Sequence, residues 1–298
     1  MASTAATIEG LIKTGMHYGM RFLPLDWCSA IGAIGGKSAP NRYKASDTRA
    51  RKVFRRLRSE AANPAWLDAA MNRLWCNVGR TMAEYSIVDR LWREGRVEVA
   101  GLENIDAARK SGKPTIIFGT HLGNWELIGP ALVLSGYPTS TTYLEPDNPY
   151  ELRIALKVRE RYGAGLIPPN TQTMRKALRL LQKNTESLVI FCDEYIRGRV
   201  HAPAFGRRIQ ATGNIAYSAR LAMMTNALVI PTYCLRLNEG THFRVNFLKP
   251  IQMVNTGDTA ADVLQNIRQM DSTIDPIIKA NLDQWYYVLD LELDEKYA

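Results

Sequence analysis

The second part of this chain alternates short apolar runs with helical patterns, and this alternation limits the possible folds more than any other feature. From residue 96 onward, strand patterns are separated by helical ones at 104–111, 150–162, 173–182 and 214–224; the strand patterns lie at 97–101, 114–118, 139–144, 188–192 and 228–232. Strands that alternate with helices are typical of α/β proteins with parallel pairing. A further strand is predicted at 242–248 and a closing helix at 260–282. The sequence therefore predicts an α/β core at 96–298, with a mixed, largely parallel sheet flanked by helices.

The first 95 residues carry helical patterns only, and we expect them to form a separate N-terminal helical region. Residues 10–36 are rich in apolar and aromatic side chains, but Lys13, Arg21 and Asp26 interrupt them. A membrane-spanning helix needs about 20 predominantly apolar residues. The segment is therefore expected to associate with a membrane surface rather than to cross it. The alternative is a helix that packs against the protein's own core.

Positive charge is concentrated in the same region. The chain has a formal net charge of +9, and residues 41–58 hold eight basic side chains and a single acid. Such a surface favours an anionic partner, such as nucleic acid, an acidic carrier protein, a phosphorylated substrate or an anionic membrane. No base-stacking or groove-reading pattern accompanies the charge, which argues against nucleic acid. A solvated helix face is the other interpretation.

The clearest chemical signal is a histidine and a carboxylate five positions apart, His121 and Glu126, directly after the predicted strand 114–118. Ligands of α/β sheets gather at the carboxyl ends of strands. A histidine there can act as a general base when a carboxylate orients it. Gly123 and Asn124 predict a tight turn whose backbone N–H groups can bind an anion or an oxyanion. A purely structural histidine remains the alternative, and the pattern is not that of a metal site.

Further candidates for oxyanion or substrate binding follow along the chain. Two basic residues lie on the predicted helix 150–162, an acid follows the strand 188–192, and three small residues lie at the end of the basic loop 197–208 or just beyond it: Arg159, Arg161, Asp193, Gly206, Thr212 and Gly213. Each has a plain structural interpretation, namely a solvated helix face, a turn or a helix cap.

The motif Thr120-His-Leu-Gly-Asn-Trp-Glu126 resembles the histidine-to-acid motif of the bacterial lipid A biosynthesis acyltransferases, the late lauroyl and myristoyl transferases, within the glycerolipid-type acyltransferase superfamily. Further blocks follow in that family's order, at 143–149, 159–161, 191–194, 204–206, 212–216 and 229–231. The resemblance extends from about residue 11 to residue 285.

The resemblance implies transfer of a fatty acyl chain from an acyl carrier protein thioester, or from acyl-CoA, to a hydroxyl of a membrane glycolipid. It implies that His121 deprotonates the hydroxyl, that Glu126 orients His121, and that neither a cofactor, a metal nor a covalent enzyme intermediate is needed. The expected acceptor is an anionic lipid A precursor in lipopolysaccharide biosynthesis. The expected location is the cytoplasmic face of the inner membrane, as a peripheral or monotopic protein.

One departure concerns the acceptor. The family usually follows an aromatic stretch near the C-terminus with a histidine and arginines, whereas residues 284–287 here lead into Val288-Leu289-Asp290-Leu291. The same chemistry on a phosphatidylinositol mannoside or a lyso-lipid therefore remains open. So does a non-catalytic protein that binds anionic lipid.

Overall fold

The computed structural model describes residues 4–143, 146–196 and 198–293. The N-terminal region is helical throughout, as predicted, and its first helix begins at the first described residue. Its helices are α1 (Thr4–Met20), α2 (Leu25–Arg42), α3 (Lys44–Leu57), α4 (Pro64–Glu84) and α5 (Val88–Arg93). None of the helices in the described ranges is long and apolar enough to cross a membrane.

From residue 97 to residue 293, strands and helices alternate at first, and two groups of consecutive strands follow at 187–200 and 228–252. The strands are β1 (Val97–Ala100), β2 (Thr115–Gly119), β3 (Thr139–Thr142), β4 (Gly165–Ile167), β5 (Ser187–Phe191), β6 (Tyr195–Ile196), β7 (Arg199–Val200), β8 (Leu228–Arg236), β9 (Phe243–Phe247) and β10 (Ile251–Gln252). The helices are α6 (Leu102–Lys110), α7 (Ile128–Val133), α8 (Pro149–Glu160), α9 (Thr173–Lys183), α10 (Gly213–Thr225) and α11 (Thr259–Ala280).

Within the described ranges, eight strands form one sheet in the order β1-β9-β8-β2-β5-β3-β4, with β10 paired to β8. The pairs β1·β9, β8·β2, β2·β5, β5·β3 and β3·β4 are parallel, whereas β8 is antiparallel to both β9 and β10. The strands β6 and β7 form a separate hairpin. The predicted fold class, a mixed and largely parallel sheet flanked by helices, is confirmed.

The central strand β2 is buried along its whole length, and its side chains alternate between two apolar clusters. Ile116 and Phe118 pack on the side that also holds residues of α4, α10 and α11, whereas Ile117 packs with residues of α5 to α8. Burying one such side chain contributes about 1.5–3 kcal/mol. This two-sided burial explains why the strand is a continuous apolar run in the sequence.

The N-terminal helices share this core. Leu74 of α4 and Phe118 of β2 belong to the same apolar cluster, and α2 packs along α4. The division into a helical region at 1–95 and a core at 96–298 remains a prediction. The boundary marks a change in secondary structure, whereas the apolar packing continues across it.

Candidate active site

His121 lies two residues beyond the end of β2, at the carboxyl edge of the sheet, as its place in the sequence predicted. Its neighbours across the sheet are the end of β5 and the middle of β8, because β2 pairs with both strands in parallel. The side chain is 18% exposed, so it can be reached from the surface. The strand order thus brings residues that follow β5 next to this histidine.

The carboxylate that contacts the imidazole is Asp193, two residues beyond β5. Its Oδ1 lies 2.9 Å from His121 Nδ1, and its backbone carbonyl oxygen lies 3.0 Å from the same nitrogen. Its Oδ2 accepts a hydrogen bond from the His121 backbone N–H at 2.7 Å. Because both partners of Nδ1 only accept, Nδ1 carries the proton of the neutral ring and Nε2 holds the free lone pair. Among the described residues, Nε2 has no hydrogen-bond partner.

The C-terminal segment holds this arrangement from the other side. The indole N–H of Trp285 donates to Oδ2 of Asp193 at 2.7 Å, and both side chains are fully buried. The backbone N–H of Tyr286 donates to the His121 carbonyl, and the Gly123 N–H donates to the Gln284 carbonyl. The aromatic run at 285–287 therefore fixes both the carboxylate and the histidine loop.

Aromatic rings surround the imidazole. The ring centroids of Phe191, Tyr287 and Trp125 lie 4.5, 5.0 and 5.1 Å from that of His121. Such surroundings limit water around the ring and offer apolar surface to a hydrocarbon chain.

Glu126 does not make the contact that the sequence predicted for it. It lies in a 3₁₀ turn, Trp125–Leu127, and its carboxylate pairs with Arg159 of α8 at 3.3 Å. Arg159 also donates to the hydroxyl of Tyr85 at 3.2 Å. Burial lowers the pKa of Arg159, but the charge of Glu126 and the smaller effects of Tyr85 and Tyr162 together outweigh it and leave the pKa above its usual value. Asp193 thus makes the orienting contact, and Glu126 fixes a guanidinium.

The Gly-Asn turn forms as predicted, but it faces inward. Gly123 has a φ of +59°, and a Cβ there would lie 2.6 Å from the carbonyl oxygen of Cys234, so only glycine fits. The Asn124 side chain is buried and donates to Glu84 at 3.0 Å. The backbone N–H groups of His121 and Gly123 are already bonded within the protein. The Gly123 N–H is therefore engaged within the protein, and the oxyanion or substrate-binding role of Gly123 and Asn124 stays a prediction.

A buried ion pair supports the turn from behind. Glu84 of α4 accepts from Arg236 of β8 at 2.7 and 2.8 Å, and both side chains are almost completely buried. Glu84 also accepts from Ser29 of α2 at 2.6 Å. This network, which comprises Ser29, Glu84, Asn124 and Arg236, connects α2 and α4 to the histidine loop.

Gly206, Thr212 and Gly213 lie near this centre, whereas Arg161 lies just beyond α8, 3.8 Å from Asp89 of α5. Thr212 is the N-cap residue of α10 and Gly213 its first residue, and the N–H of the next residue, Asn214, donates to the Glu194 carboxylate. Burial raises the pKa of Glu194 to about 7. The exposed Gly206, with a φ of +85°, follows Phe205, whose ring packs on Trp285. These residues support the site from outside the imidazole contacts.

Two of the predicted segments are described only in part. Leu144 and Glu145 of the 143–149 block and Arg197 of the basic loop lie outside the described residues. In the rest of that loop, Arg207 donates to the carbonyls of Val200, Pro203 and Ala204 and so holds the loop together. Within the described ranges, no three His, Cys, Asp or Glu side chains are grouped to hold a metal ion.

Sequence reasoning missed Glu84, Arg236 and Trp285 as residues that support the site. The signal for Trp285 is its place in the aromatic run 285–287, which matches the aromatic stretch of the family that the sequence resembles. For Glu84 and Arg236 the only signal was a charged residue beside apolar positions of a helix and a strand. Their pairing joins positions 152 residues apart, which no local pattern indicates.

Comparison with known proteins identifies two relatives and a family. Two curated relatives, both named phosphatidylinositol mannoside acyltransferase and from two strains of Mycobacterium tuberculosis, are each 27% identical over 172 residues. The match covers 55% of this chain and 51% of each relative, so the chain matches about half the length of these relatives. The family model described as bacterial lipid A biosynthesis acyltransferase matches residues 6–291. The chain belongs to the bacterial lipid A biosynthesis acyltransferase family.

Proposed function

We propose that this protein is an O-acyltransferase that moves a fatty acyl chain from a thioester donor to a hydroxyl of a membrane glycolipid. The observation that carries the proposal is the His121–Asp193 contact. It puts the proton of the neutral imidazole on Nδ1 and leaves Nε2 as a base at the carboxyl edge of the sheet. Family membership supports the same chemistry.

In the proposed reaction, Nε2 of His121 takes the proton of the acceptor hydroxyl while its oxygen attacks the thioester carbonyl. The tetrahedral intermediate collapses, the C–S bond breaks, and the imidazolium returns the proton to the leaving thiolate. Asp193 stabilises the imidazolium that forms in between. A positioned base of this kind contributes roughly 100-fold to 10,000-fold. Every step is completed by the two substrates and the imidazole.

Glu126 keeps a proposed role in catalysis, now through Arg159 rather than through the imidazole. A guanidinium fixed by one carboxylate retains further N–H groups, and these suit an oxyanion or a phosphate of the acceptor. Loss of Glu126 would release Arg159 and weaken this half of the site.

We also propose the acyl donor and the acceptor. An acidic acyl carrier protein fits the net charge of +9 and the basic helix α3, and acyl-CoA is the alternative donor. A lipid A precursor is the acceptor that the family name favours, and a peripheral position on the cytoplasmic face of the inner membrane follows from it.

A phosphatidylinositol mannoside is the second candidate acceptor, and two specific observations favour it. The relatives are named as phosphatidylinositol mannoside acyltransferases, and residues 284–291 lack the basic element expected of a lipid A enzyme. In this chain, residues 285–287, which directly precede the position of that basic element, contact His121 and Asp193. A change in this segment therefore lies where it can alter the choice of acceptor.

The test is incubation of the full chain with acyl carrier protein thioesters and acyl-CoA of several lengths, each against a lipid A precursor, a phosphatidylinositol mannoside and a lysophospholipid. Mass spectrometry detects the added acyl group. Transfer to any of the three supports acyl transfer, and the preferred acceptor decides between the two candidates. Vesicle binding without transfer from any donor would favour a non-catalytic lipid-binding protein.

A further inference from the structure

A charged cavity lies where the C-terminal ends of α1 and α8 meet α5. It has a volume of about 330 Å³ and is lined by Arg21, Asp89, Arg93, Leu134, Arg161 and Tyr162. We propose that this cavity is a binding site for the phosphate group of an anionic ligand. The proposal does not depend on the chemistry at His121.

The charges in the cavity are not balanced. Asp89 accepts from Arg21 at 2.9 Å and also from Arg93, while its distance to Arg161 is 3.8 Å. Three guanidinium groups thus share one carboxylate, which leaves two positive charges in excess among the lining residues. Like charges held this close repel each other, and an anion between them would relieve the repulsion.

A second observation that supports a phosphate site, besides the excess of positive charge, concerns Arg161. Its Nη1 is buried and has no hydrogen-bond partner within the described part of the chain. Burial, and then the charge of Arg21, lower the pKa of Arg161. A buried donor without a partner is destabilising. A phosphate oxygen would satisfy this donor, and guanidinium groups bind phosphate through paired N–H donors.

The neighbouring titratable groups do not supply the missing negative charge. His17 of α1 is buried, and burial together with Arg161 and Arg21 lowers its pKa to about 4, so it is neutral at pH 7. Burial raises the pKa of the Tyr85 hydroxyl near Arg161, so this group is neutral at pH 7 as well. Asp89 is therefore the anionic group among the residues that line the cavity.

The surroundings favour a phosphate that carries an apolar tail. Leu134 on the rim is 44% exposed, and Phe22, the residue after Arg21, is 88% exposed. A lipid headgroup would place its phosphate among the arginines and its chains beside these side chains. A water-soluble phosphate compound offers the same chemistry, and the experiment separates the two sources.

The first experiment measures binding of inorganic phosphate to the full chain by calorimetry at constant ionic strength, for the wild type, Arg161→Gln and Arg175→Gln. Arg175 is an exposed residue of α9, so its replacement removes the same charge elsewhere. We expect saturable binding that weakens roughly tenfold or more in Arg161→Gln and is unchanged in the control. Equal binding by the two variants, or no saturable binding by the wild type, would overturn the proposal.

A second pair of variants leaves every arginine in place, in case Arg161→Gln fails to fold. Leu134→Glu puts a competing carboxylate on the rim, and Leu134→Gln is its uncharged control. We expect phosphate binding to weaken only in Leu134→Glu. Equal effects of the two changes would contradict an electrostatic site.

Vesicle flotation then identifies the source of the phosphate, with phosphatidylcholine vesicles that contain or lack phosphatidylglycerol. If Arg161→Gln loses the preference for phosphatidylglycerol and Arg175→Gln keeps it, the ligand is a lipid headgroup. If phosphate binding is lost in Arg161→Gln while flotation is unchanged, the site serves a water-soluble phosphate compound.

Discussion

The His121 end of the sheet and the outer surface of α1 and α2 are opposite in character. Around His121, the polar groups of Asp193, Trp285 and Glu84 are buried and each has a partner. Along α1, α2 and the segment that joins them, large apolar side chains lie in solvent instead: Ile8, Leu11, Ile12, Met16, Phe22, Trp27 and Ile34. Soluble monomers rarely expose contiguous apolar surface of this kind. We therefore expect the rigidly held polar groups near His121 to carry out the reaction and the exposed apolar side chains of α1 and α2 to bind a membrane surface.

The buried network of Ser29, Glu84, Asn124 and Arg236 connects these two regions. If the division of roles is right, a change at Asp193 should affect turnover alone, a change in the exposed apolar side chains should affect membrane binding alone, and a change in the network should affect the whole fold.

The largest expected effect is that of Asp193→Asn on turnover. The amide no longer stabilises the imidazolium and can favour the wrong tautomer of His121, so we expect kcat to fall roughly 100-fold to 10,000-fold. Vesicle binding should not change. Asp275→Asn, which alters an acid of α11 that pairs with Lys279, is the control. Turnover of Asp193→Asn within a few-fold of the wild type would break the assignment of Asp193.

Next in size is the effect of Glu84→Gln on stability. The change leaves Arg236 buried without its charged partner, and removing one member of a buried pair costs about 3–5 kcal/mol. Urea unfolding measures the free energy of unfolding. Glu98→Gln provides a control, because the Glu98–Arg244 pair is exposed and should contribute less than about 1 kcal/mol. Equal losses in the two variants would show that the network does not hold the regions together.

A smaller effect is expected from Glu194, whose pKa burial raises to about 7. Since the native state holds this proton more tightly than the unfolded chain, Glu194 adds stability at low pH, and this contribution decreases between pH 4.5 and pH 7. The total change is on the order of 3 kcal/mol. Asp271, with a pKa raised to about 6, adds to the same trend.

Comparison of wild type and Glu194→Gln isolates the contribution of Glu194. Their difference in the free energy of unfolding should shift by this amount between pH 5 and pH 8 and then level off. A constant difference across that range would contradict the raised pKa.

The smallest effect on the fold is expected from Phe22→Ser, which changes a side chain that is 88% exposed. Its free energy of unfolding should stay within about 0.5 kcal/mol of the wild type. If this surface enters a membrane, vesicle affinity should fall roughly tenfold, because burying a phenylalanine contributes about 1.5–3 kcal/mol. Met224→Ser on α10, which is 64% exposed, is the control. Equal vesicle affinities for both variants would place the adhesive surface elsewhere.

The sequence predicted those features that depend on local pattern. The apolar run at 114–118 became the buried β2, and the position of His121 directly after it placed the histidine at the edge of the sheet. The short strands β4, β6, β7 and β10 were not predicted, because two or three residues give no periodicity. The antiparallel pairing of β8 with β9 also depends on the direction of return of the chain, which periodicity does not encode.

Partners across the fold were beyond prediction. The spacing of His121 and Glu126 suggested that they interact, but the 3₁₀ turn at 125–127 takes Glu126 to Arg159. Asp193 was expected near the site, yet its contact with Nδ1 depends on the parallel pairing of β2 and β5. Such contacts are fixed by sheet order and register, which emerge only when the whole core packs.

The most direct test of the central claim is single-turnover acyl transfer by His121→Gln, with the wild type as reference and the acceptor that the panel identifies. The account predicts that the glutamine variant folds, binds vesicles like the wild type and transfers acyl groups at least 100-fold more slowly, because no group remains to take the hydroxyl proton. Transfer by His121→Gln at the wild-type rate would contradict general-base catalysis by His121.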